Sequence, residues 1–356
     1  MQKILFFLIV LFLIFSCSYK EKPVYEKSVE ILNSSDPDKY LKAFRMLDTI
    51  TYPSNEYNFK NMYAEKAKEM MEKIKEEYAR VKKEEILRDY ANTKIAYVKK
   101  DGDNRPLYLM NIDGSNNQKL TDSEFSCDSP RWSNDGKYIA FSSRYEMYII
   151  NLDNLKIEKI RSYESGSKFL NPDWSPDGSK LLYSDEYGKI FIYDMKTKKT
   201  TTPDIGEYDG TLTSSIWLQN NRDILVFGWG KLLLLKDGSN ELVPYEAALP
   251  DTEPIITTMN NLYAGKIFSH GILSRDGSKL LVYNNFSMII DLQKNTVVEA
   301  GRSPRSSWSP DSKYVMDTDG DWLIFIDTPI LENHLEYIII SDIKATYVAW
   351  SPWLKK

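Results

Sequence analysis

The sequence has little of the chemistry that metal sites and disulfide scaffolds need, with two cysteines and two histidines in 356 residues. Cys17 and Cys127 are too few for a disulfide framework or a thiolate zinc cluster. Positive charge is not in excess either, because 46 Lys and Arg stand against 51 Asp and Glu and give a net charge of −5. Non-specific nucleic-acid binding requires a clustered basic surface, so we expect no nucleic-acid partner.

Common catalytic motifs are absent from the sequence as well. It contains no G-x-S-x-G elbow, H-E-x-x-H pair, P-loop or dinucleotide-binding G-x-G-x-x-G. His270 and His334 are far apart along the chain, and we expect a structural or exposed role for both. The sequence therefore predicts no catalytic residue, no metal site and no cofactor.

The acidic residues occur mainly in turn-like contexts. The Asp-Gly pairs at Asp135, Asp177 and Asp276 lack the pattern of a calcium-binding loop, which favours a role in capping turns. The densest acidic group runs from Asp317 to Asp321. We interpret it as a solvated turn between strands, with a cation site as the alternative.

The N-terminus is typical of an export signal over residues 1–16. Lys3 precedes a run of twelve apolar residues, Ile4 to Phe15. Spanning a bilayer takes about 20 apolar residues, so the run is too short for a transmembrane helix and fits the core of a secretory signal.

The end of that run, Ile14-Phe15-Ser16-Cys17, resembles the cleavage motif of bacterial lipoproteins, although Phe15 stands where a small or β-branched residue is usual. The resemblance implies that Cys17 becomes the first mature residue and is acylated, which would anchor the protein to a membrane. Ser18, rather than Asp, follows the cysteine, which favours the outer membrane or the cell surface. The alternative is an ordinary signal peptide or an uncleaved anchor, with Cys17 unmodified.

A polar tether over residues 17–25 and a charged α-helical segment over residues 26–91 are predicted next. Asp36-Pro37 is typical of a helix start, and Tyr52-Pro53 interrupts the pattern before a long helix over about 56–91. That helix carries an apolar stripe at helical spacing: Phe59, Tyr63, Ala67, Met70, Ile74, Tyr78 and Val81. The stripe either packs on the preceding helix or the main domain, or binds a partner or a second copy.

A different pattern begins at residue 92, where one short motif recurs six times. The repeats start at Trp132, Trp174, Trp217, Leu273, Trp308 and Trp350, at intervals of 42, 43, 56, 35 and 42 residues. A period near 44 with several short strands in each unit is typical of β-propeller blades. Each start residue, called a marker below, is expected to end a strand and point into the core. The Ser-Pro-Asp-Gly type of sequence that follows it is expected to form the hairpin turn.

The two ends of the repeat region complement each other. Trp350-Ser-Pro352 begins a unit that lacks its later strands, whereas 95–98 and 107–112 are strand-like but have no marker before them. We therefore predict an all-β fold over residues 92–356, a six-bladed β-propeller closed by strands from both ends. The α-helical segment precedes it.

These W-S-P-D-G-x-x-[IL]-x-[FY] repeats resemble the WD-like propeller repeats of TolB-type proteins. The resemblance implies the fold more strongly than the function, because such propellers serve several functions. TolB-type proteins usually carry a small α/β domain before the propeller, and here a helical segment and a lipid-anchor motif replace it.

The longest interval between markers contains an insertion over residues 243–263. It is rich in proline, acidic and aromatic residues, and long rim loops often carry binding specificity. We select five residues as the candidate partner-binding loop: Tyr245, Glu246, Asp251, Glu253 and Tyr263. The alternative is a neutral surface loop.

Together these features predict a lipid-anchored, non-catalytic scaffold of the cell envelope that binds a protein or an envelope polymer. One alternative is a propeller enzyme, such as a carbohydrate lyase or hydrolase. Another is that the helical segment, not the propeller, is the working part. The sequence leaves the oligomeric state open.

Overall fold

The computed structural model describes residues 23–353, apart from residues 37, 52–61, 163–168, 207–211, 229–230, 245–269, 285, 295, 302–304, 319–322, 328–337 and 342. The chain divides into two compact units, and the boundary between the helical unit and the β-rich unit falls between Glu85 and Ile86. No helix in these described ranges combines the length and the apolar content needed to cross a membrane.

The helical unit contains α1 (residues 23–32), α2 (Lys39–Thr51) and most of α3 (Met62–Asp89). Residues 23–25 are helical and not part of a tether, which corrects the predicted boundary. Proline is well tolerated in the first turn of a helix, where its missing N–H is not needed, so Pro23 does not prevent helix formation. Asp36 caps α2 as predicted, since its Oδ1 accepts a hydrogen bond of 2.8 Å from the Asp38 N–H.

The apolar stripe of α3 faces α2. The buried α3 side chains in this unit are Ala67, Met71, Ile74 and Tyr78, and on α2 they are Ala43, Phe44 and Leu47. The rings of Tyr40 and Tyr78 meet edge to face at 6.4 Å. The predicted Met70 is only half-buried, and Met71 takes its place, because the position of α2 decides which side chains are covered. Phe59 and the side chain of Tyr63 lie outside the described residues.

The described residues of the β-rich unit form six four-stranded sheets. Sheet 1 contains β1 (Lys94–Val98), β2 (Leu107–Asn111), β3 (Gln118–Lys119) and β24 (Tyr347–Trp350). Sheet 2 contains β4 (Cys127–Trp132), β5 (Tyr138–Ser143), β6 (Glu146–Asn151) and β7 (Ile157–Ser162). Sheet 3 contains β8 (Phe169–Trp174), β9 (Lys180–Asp185), β10 (Ile190–Asp194) and β11 (Lys199–Thr201).

The other three sheets follow in chain order. Sheet 4 contains β12 (Leu212–Trp217), β13 (Ile224–Gly228), β14 (Lys231–Leu235) and β15 (Leu242–Pro244). Sheet 5 contains β16 (His270–Leu273), β17 (Lys279–Asn284), β18 (Phe286–Asp291) and β19 (Thr296–Gly301). Sheet 6 contains β20 (Ser307–Trp308), β21 (Tyr314–Thr318), β22 (Leu323–Asp327) and β23 (Ile338–Ser341).

Adjacent sheets bury their faces against each other in cyclic order. A hydrophobic cluster joins each neighbouring pair, as shown by Val98 with Phe141, Ile149 with Trp174, Leu182 with Trp217, Phe227 with Val282, Leu281 with Trp308, and Met316 with Trp350. The last of these pairs joins sheet 6 back to sheet 1. This cyclic packing is that of a β-propeller, as the repeats predicted.

The pairing predicted between the two ends of the repeat region is present. β24 lies antiparallel to β1, with Trp350 opposite Ile95 and Tyr347 opposite Val98. The β-rich unit starts earlier than the predicted residue 92, because the end of α3 packs on it. Ile86 and Tyr90 are buried in the same cluster as Trp350.

Candidate functional site

A repeated hydrogen-bond pattern shapes the turn after four of the markers. In sheet 2, Ser133 Oγ donates to Asp135 Oδ1 at 2.7 Å and accepts from the Tyr138 N–H at 3.0 Å. The same Ser–Asp hydrogen bond recurs at Ser175–Asp177, Ser274–Asp276 and Ser309–Asp311. Asp135, Asp177 and Asp276 therefore cap turns, as predicted, and these turns fix the residues around each marker at one end of the sheets.

Three marker tryptophans tie their sheet to the one before it. The indole Nε1 donates to the carbonyl of the residue preceding the previous marker in three cases: Trp132 to Ala349 at 3.0 Å, Trp174 to Arg131 at 3.1 Å, and Trp308 to Ile272 at 3.0 Å. These indoles are buried, as predicted. The bonds fix the backbone of the inner strands where they line the centre of the ring.

All six sheets contribute to one pocket of about 340 Å³. Apart from Trp353, its lining follows the repeat: it consists of the six markers, the residue just before each of them except Trp217, and the residues two positions after them. The last group is Asn134, Pro176, Gln219, Arg275, Pro310 and Pro352. A pocket lined equivalently by every sheet of a ring must lie on the ring axis, so we call it the axial pocket.

Three ionisable side chains line the axial pocket: Arg131, Asp173 and Arg275. Burial raises the pKa of Asp173 to about 6, against hydrogen bonds from backbone N–H groups and the attraction of both arginines. Its Oδ2 accepts a hydrogen bond of 2.7 Å from the Trp217 N–H. Burial also lowers the pKa of Arg131, and it lowers that of Arg275 to about 10. Burial therefore disfavours the charged forms of all three side chains, which lie beside the tryptophans that line the pocket.

Arg275 reaches from sheet 5 to the other side of the axial pocket. Its Nη1 donates to Asn134 Oδ1 at 3.3 Å and its Nη2 donates to the Trp350 carbonyl at 3.1 Å. Its Nε is buried and has no hydrogen-bond partner among the described residues, and the same is true of Trp217 Nε1. The pocket thus contains two buried donors that no described residue satisfies.

A second pocket of about 260 Å³ lies between sheets 3 and 4, with Tyr187, Thr202 and Leu212 in its wall. It carries a single charged residue, Lys189, and only two of the six sheets contribute to it. This second pocket is not built from the repeat as a whole. The axial pocket is therefore the stronger candidate site.

The residues singled out in the sequence lie elsewhere. His270 is in β16, packs against the Tyr283 ring at 5.7 Å and lines a separate small cavity, which shares Ile272 with the axial pocket. Cys127 is buried, and burial raises the pKa of its thiol to about 12. Outside the described residues lie Cys17, His334, Asp321 and the candidate loop residues Tyr245, Glu246, Asp251, Glu253 and Tyr263.

The prediction for Asp317 was wrong. This residue is in β21 and only 2% exposed, and its Oδ1 accepts hydrogen bonds from Ser306 Oγ and the Thr318 N–H. It is a buried strand residue and not part of a solvated turn, because hydrogen bonds replace the water that its carboxylate loses. Within the described ranges, no group of three or more His, Cys, Asp or Glu residues has the geometry to hold a metal ion.

Sequence reasoning missed Arg131, Asp173 and Arg275, although the repeat contained a signal. The position two residues after the marker is proline in three repeats, and Asn134, Gln219 and Arg275 replace it in the others. Where polar residues replace the consensus proline at this position, they lie together at the ring axis and mark the axial pocket.

The propeller region of the chain is similar to a known protein family. Residues 86–352 match the family model described as the TolB beta propeller domain. The chain belongs to this family. The family match starts at residue 86, the same residue at which the β-rich unit begins.

Similar proteins agree with the TolB-type fold. Two relatives are the "Tol-Pal system protein TolB" of Francisella tularensis subsp. mediasiatica and of subsp. tularensis, each 32% identical over 80 residues, or 20% of this chain. The match spans only 18% of the length of these curated relatives. The structure of TolB from Acinetobacter baumannii has a TM-score of 0.56 at 19% identity, covering 74% of this chain and 67% of that one. A chain of the nidogen/laminin complex has a TM-score of 0.53 at 9% identity, covering 74% of this chain and all of that one. Both structural matches show the fold alone.

Proposed function

We propose that this TolB-type propeller is a non-catalytic binding protein of the bacterial cell envelope, and that it holds a macromolecular partner at the axial pocket. The observation that carries the proposal is that all six sheets supply equivalent residues to this one pocket. Tryptophan walls and a few convergent polar groups are typical of binding sites. The relatives named Tol-Pal system protein support a function within an envelope assembly.

We further propose that the six sheets act as six blades of one rigid disc. The pairing of β24 with β1 supports this, because strands from the two ends of the repeat region complete one sheet and so tie the ends of the ring together. A rigid frame keeps the pocket lining in place, so a partner can bind without first ordering the site.

Anchoring at Cys17 is part of the proposal and rests on the sequence motif. Two acyl chains hold a protein stably on a membrane, since each buried CH₂ contributes about 0.8 kcal/mol. The outer membrane or the cell surface is the favoured location. The loop around Tyr245 to Tyr263 remains a candidate for a second contact with the partner.

A propeller enzyme is the weaker candidate. Glycoside hydrolysis generally uses a pair of carboxylic acids, and Asp173 is the one carboxylate among the described residues that line the axial pocket. His270, the described histidine, lines a different cavity. The geometry therefore supports binding better than catalysis.

Photo-crosslinking from the pocket rim tests the binding function in the full chain and in its native cells. Trp353 lines the pocket and is 48% exposed, so p-benzoylphenylalanine placed there keeps an aromatic side chain. Tyr145, 46% exposed, is the matched control, because it lies in the β5–β6 turn at the opposite end of its sheet. We expect a discrete crosslinked partner from position 353 and not from 145. Crosslinks from 145 alone, or from neither position, would contradict the proposal.

A further inference from the structure

The axial pocket carries more positive charge than its surroundings balance. Two guanidinium groups, from Arg131 and Arg275, share it with the carboxylate of Asp173, the one acidic side chain among the described lining residues. Arg131 makes one side-chain hydrogen bond, of 3.3 Å, to the Pro130 carbonyl. In the part of the chain that the structure describes, neither arginine forms an ion pair with a carboxylate. Buried positive charges of this kind are stabilised when an anion enters beside them.

The unsatisfied donors point to the same conclusion independently of charge. Arg275 Nε is buried and none of the residues that the structure describes accepts from it, and the 3.3 Å bond from Nη1 to Asn134 Oδ1 is long for a guanidinium hydrogen bond. A buried donor without an acceptor costs free energy, so an incoming acceptor gains more here than at a site already satisfied. A carboxylate has two oxygens and can accept from Nε and one Nη of the same guanidinium.

We propose that the axial pocket binds a single carboxylate of an extended segment of the protein partner, held between the guanidinium groups of Arg131 and Arg275. This inference rests on the proposed function and names the chemistry that recognises the partner. The carboxylate comes from an acidic side chain or from the C-terminus of the partner chain. Asp173 keeps its hydrogen bond to the Trp217 N–H. Its carboxylate disfavours a ligand group that carries more than one negative charge.

The size and the walls of the pocket fit a peptide segment better than a larger or more highly charged ligand. About 340 Å³ is near the lower end of the range for ligand pockets, which is roughly 300–1,000 Å³. Trp132, Trp174 and Trp308 supply flat apolar surfaces beside the charges, and these suit the stem of an acidic side chain. A phosphate dianion would bring a second negative charge next to Asp173.

Intrinsic fluorescence gives a direct readout, because six of the eight tryptophans of the chain line the axial pocket. The full chain, purified in detergent, is titrated at low salt with the blocked peptide Ac-Gly-Ala-Glu-Ala-Gly-NH₂ and with its Gln counterpart. A third peptide carries only a free C-terminal carboxylate, and a fourth carries phosphoserine in place of Glu. The Glu and free-acid peptides separate the two sources of the carboxylate.

Three variants distinguish the pocket charges from general electrostatics. Arg131→Gln and Arg275→Gln each remove one guanidinium, and Arg275→Lys keeps the charge but not the paired donors. Arg222→Gln is the matched control, because Arg222 is exposed in the β12–β13 turn at the same end of the ring. Circular dichroism and the thermal midpoint confirm that each variant is folded.

We expect the wild-type protein to bind one of the two carboxylate peptides at least tenfold more tightly than the Gln peptide. Arg131→Gln and Arg275→Gln should each weaken binding at least tenfold, Arg275→Lys less, and Arg222→Gln less than twofold. Equal affinity for the Glu, free-acid and Gln peptides, no saturable binding, or tightest binding of the phosphoserine peptide overturns the inference. Crosslinking at position 353 is scored separately, so a partner captured there keeps the proposed function even if the carboxylate test fails.

Discussion

The indole Nε1 of Trp350 donates a hydrogen bond of 2.9 Å to Thr93 Oγ1, although 257 residues separate the two along the chain. Thr93 lies just before the first strand of the β-rich unit, and Trp350 ends the last. The Trp350 ring also packs edge to face on Tyr90, at 4.9 Å. The end of α3, the first strand and the last marker therefore form one buried cluster.

This cluster makes ring closure sensitive to Trp350. The side chain is 1% exposed, and truncating a buried tryptophan to alanine typically costs about 3–5 kcal/mol, so Trp350→Ala should lower the free energy of unfolding by about that much. Thr93→Val removes the acceptor of the indole N–H and also the hydrogen bond that Thr93 Oγ1 donates to the Tyr90 carbonyl, and it should cost about 1–3 kcal/mol, because buried polar groups lose their partner. Urea denaturation followed by tryptophan fluorescence measures both losses.

The exposed Tyr187 serves as the control for closure, since Tyr187→Ala should change the stability by no more than about 0.5 kcal/mol. If Trp350→Ala costs no more than Tyr187→Ala, the cluster does not hold the ring closed.

Substitutions at two glycines distinguish the stability cost of backbone strain from the cost of a steric clash. Gly188 and Gly178 both have positive φ, at 81° and 71°. A Cβ on Gly188 would lie 2.5 Å from the Leu212 carbonyl oxygen, whereas a Cβ on Gly178 meets nothing within 4 Å. Gly178→Ala should cost about 1 kcal/mol from its conformation alone, and Gly188→Ala at least about 1 kcal/mol more. Thermal or urea unfolding of the two variants checks this, and equal losses would contradict the close contact between sheets 3 and 4.

The repeat region was predictable because its signals are local. The marker and the Ser-x-Asp turn after it form short-range hydrogen bonds, such as Ser133 to Asp135, and these do not depend on the rest of the fold. The pairing of β24 with β1 followed from counting strands, since an incomplete unit at each end leaves one arrangement without a free edge.

Features that depend on distant packing could not be predicted in this way. Met71 is buried in place of Met70 because α2 covers that side of α3. Asp317 resembled a turn residue in sequence, and its burial depends on Ser306 in the neighbouring strand region. Arg131 and Arg275 come from sheets 2 and 5, and only ring closure brings them into one pocket.

The lipid anchor gives a prediction that does not depend on the propeller. Cys17→Ser should abolish incorporation of labelled palmitate and move the protein from the membrane fraction to the soluble fraction. Cys127→Ala is the control, because the buried Cys127 should contribute nothing to labelling. Fractionation and label incorporation are measured together. A wild-type protein without label, or a Cys17→Ser variant that keeps it, would show that the lipoprotein motif is not used.

The raised pKa of Asp173 makes the stability of the ring depend on pH in an unusual direction. A carboxyl with a pKa of about 6 in the folded protein and an ordinary pKa of 3.8 in the unfolded chain binds more protons when folded, so its contribution to stability decreases as the pH rises from about 4 to about 6. Asp173→Asn keeps an oxygen acceptor for the Trp217 N–H and removes this titration. The stability of the variant relative to wild type should therefore rise by about 2 kcal/mol between pH 4 and 7, since one pKa unit is worth about 1.36 kcal/mol and part of the effect falls below pH 4. Urea unfolding at a series of pH values, with the exposed Asp103→Asn as the control, measures the difference. A relative stability that stays flat, or that falls as the pH rises, would mean that ionised Asp173 is stabilised by its two arginines after all.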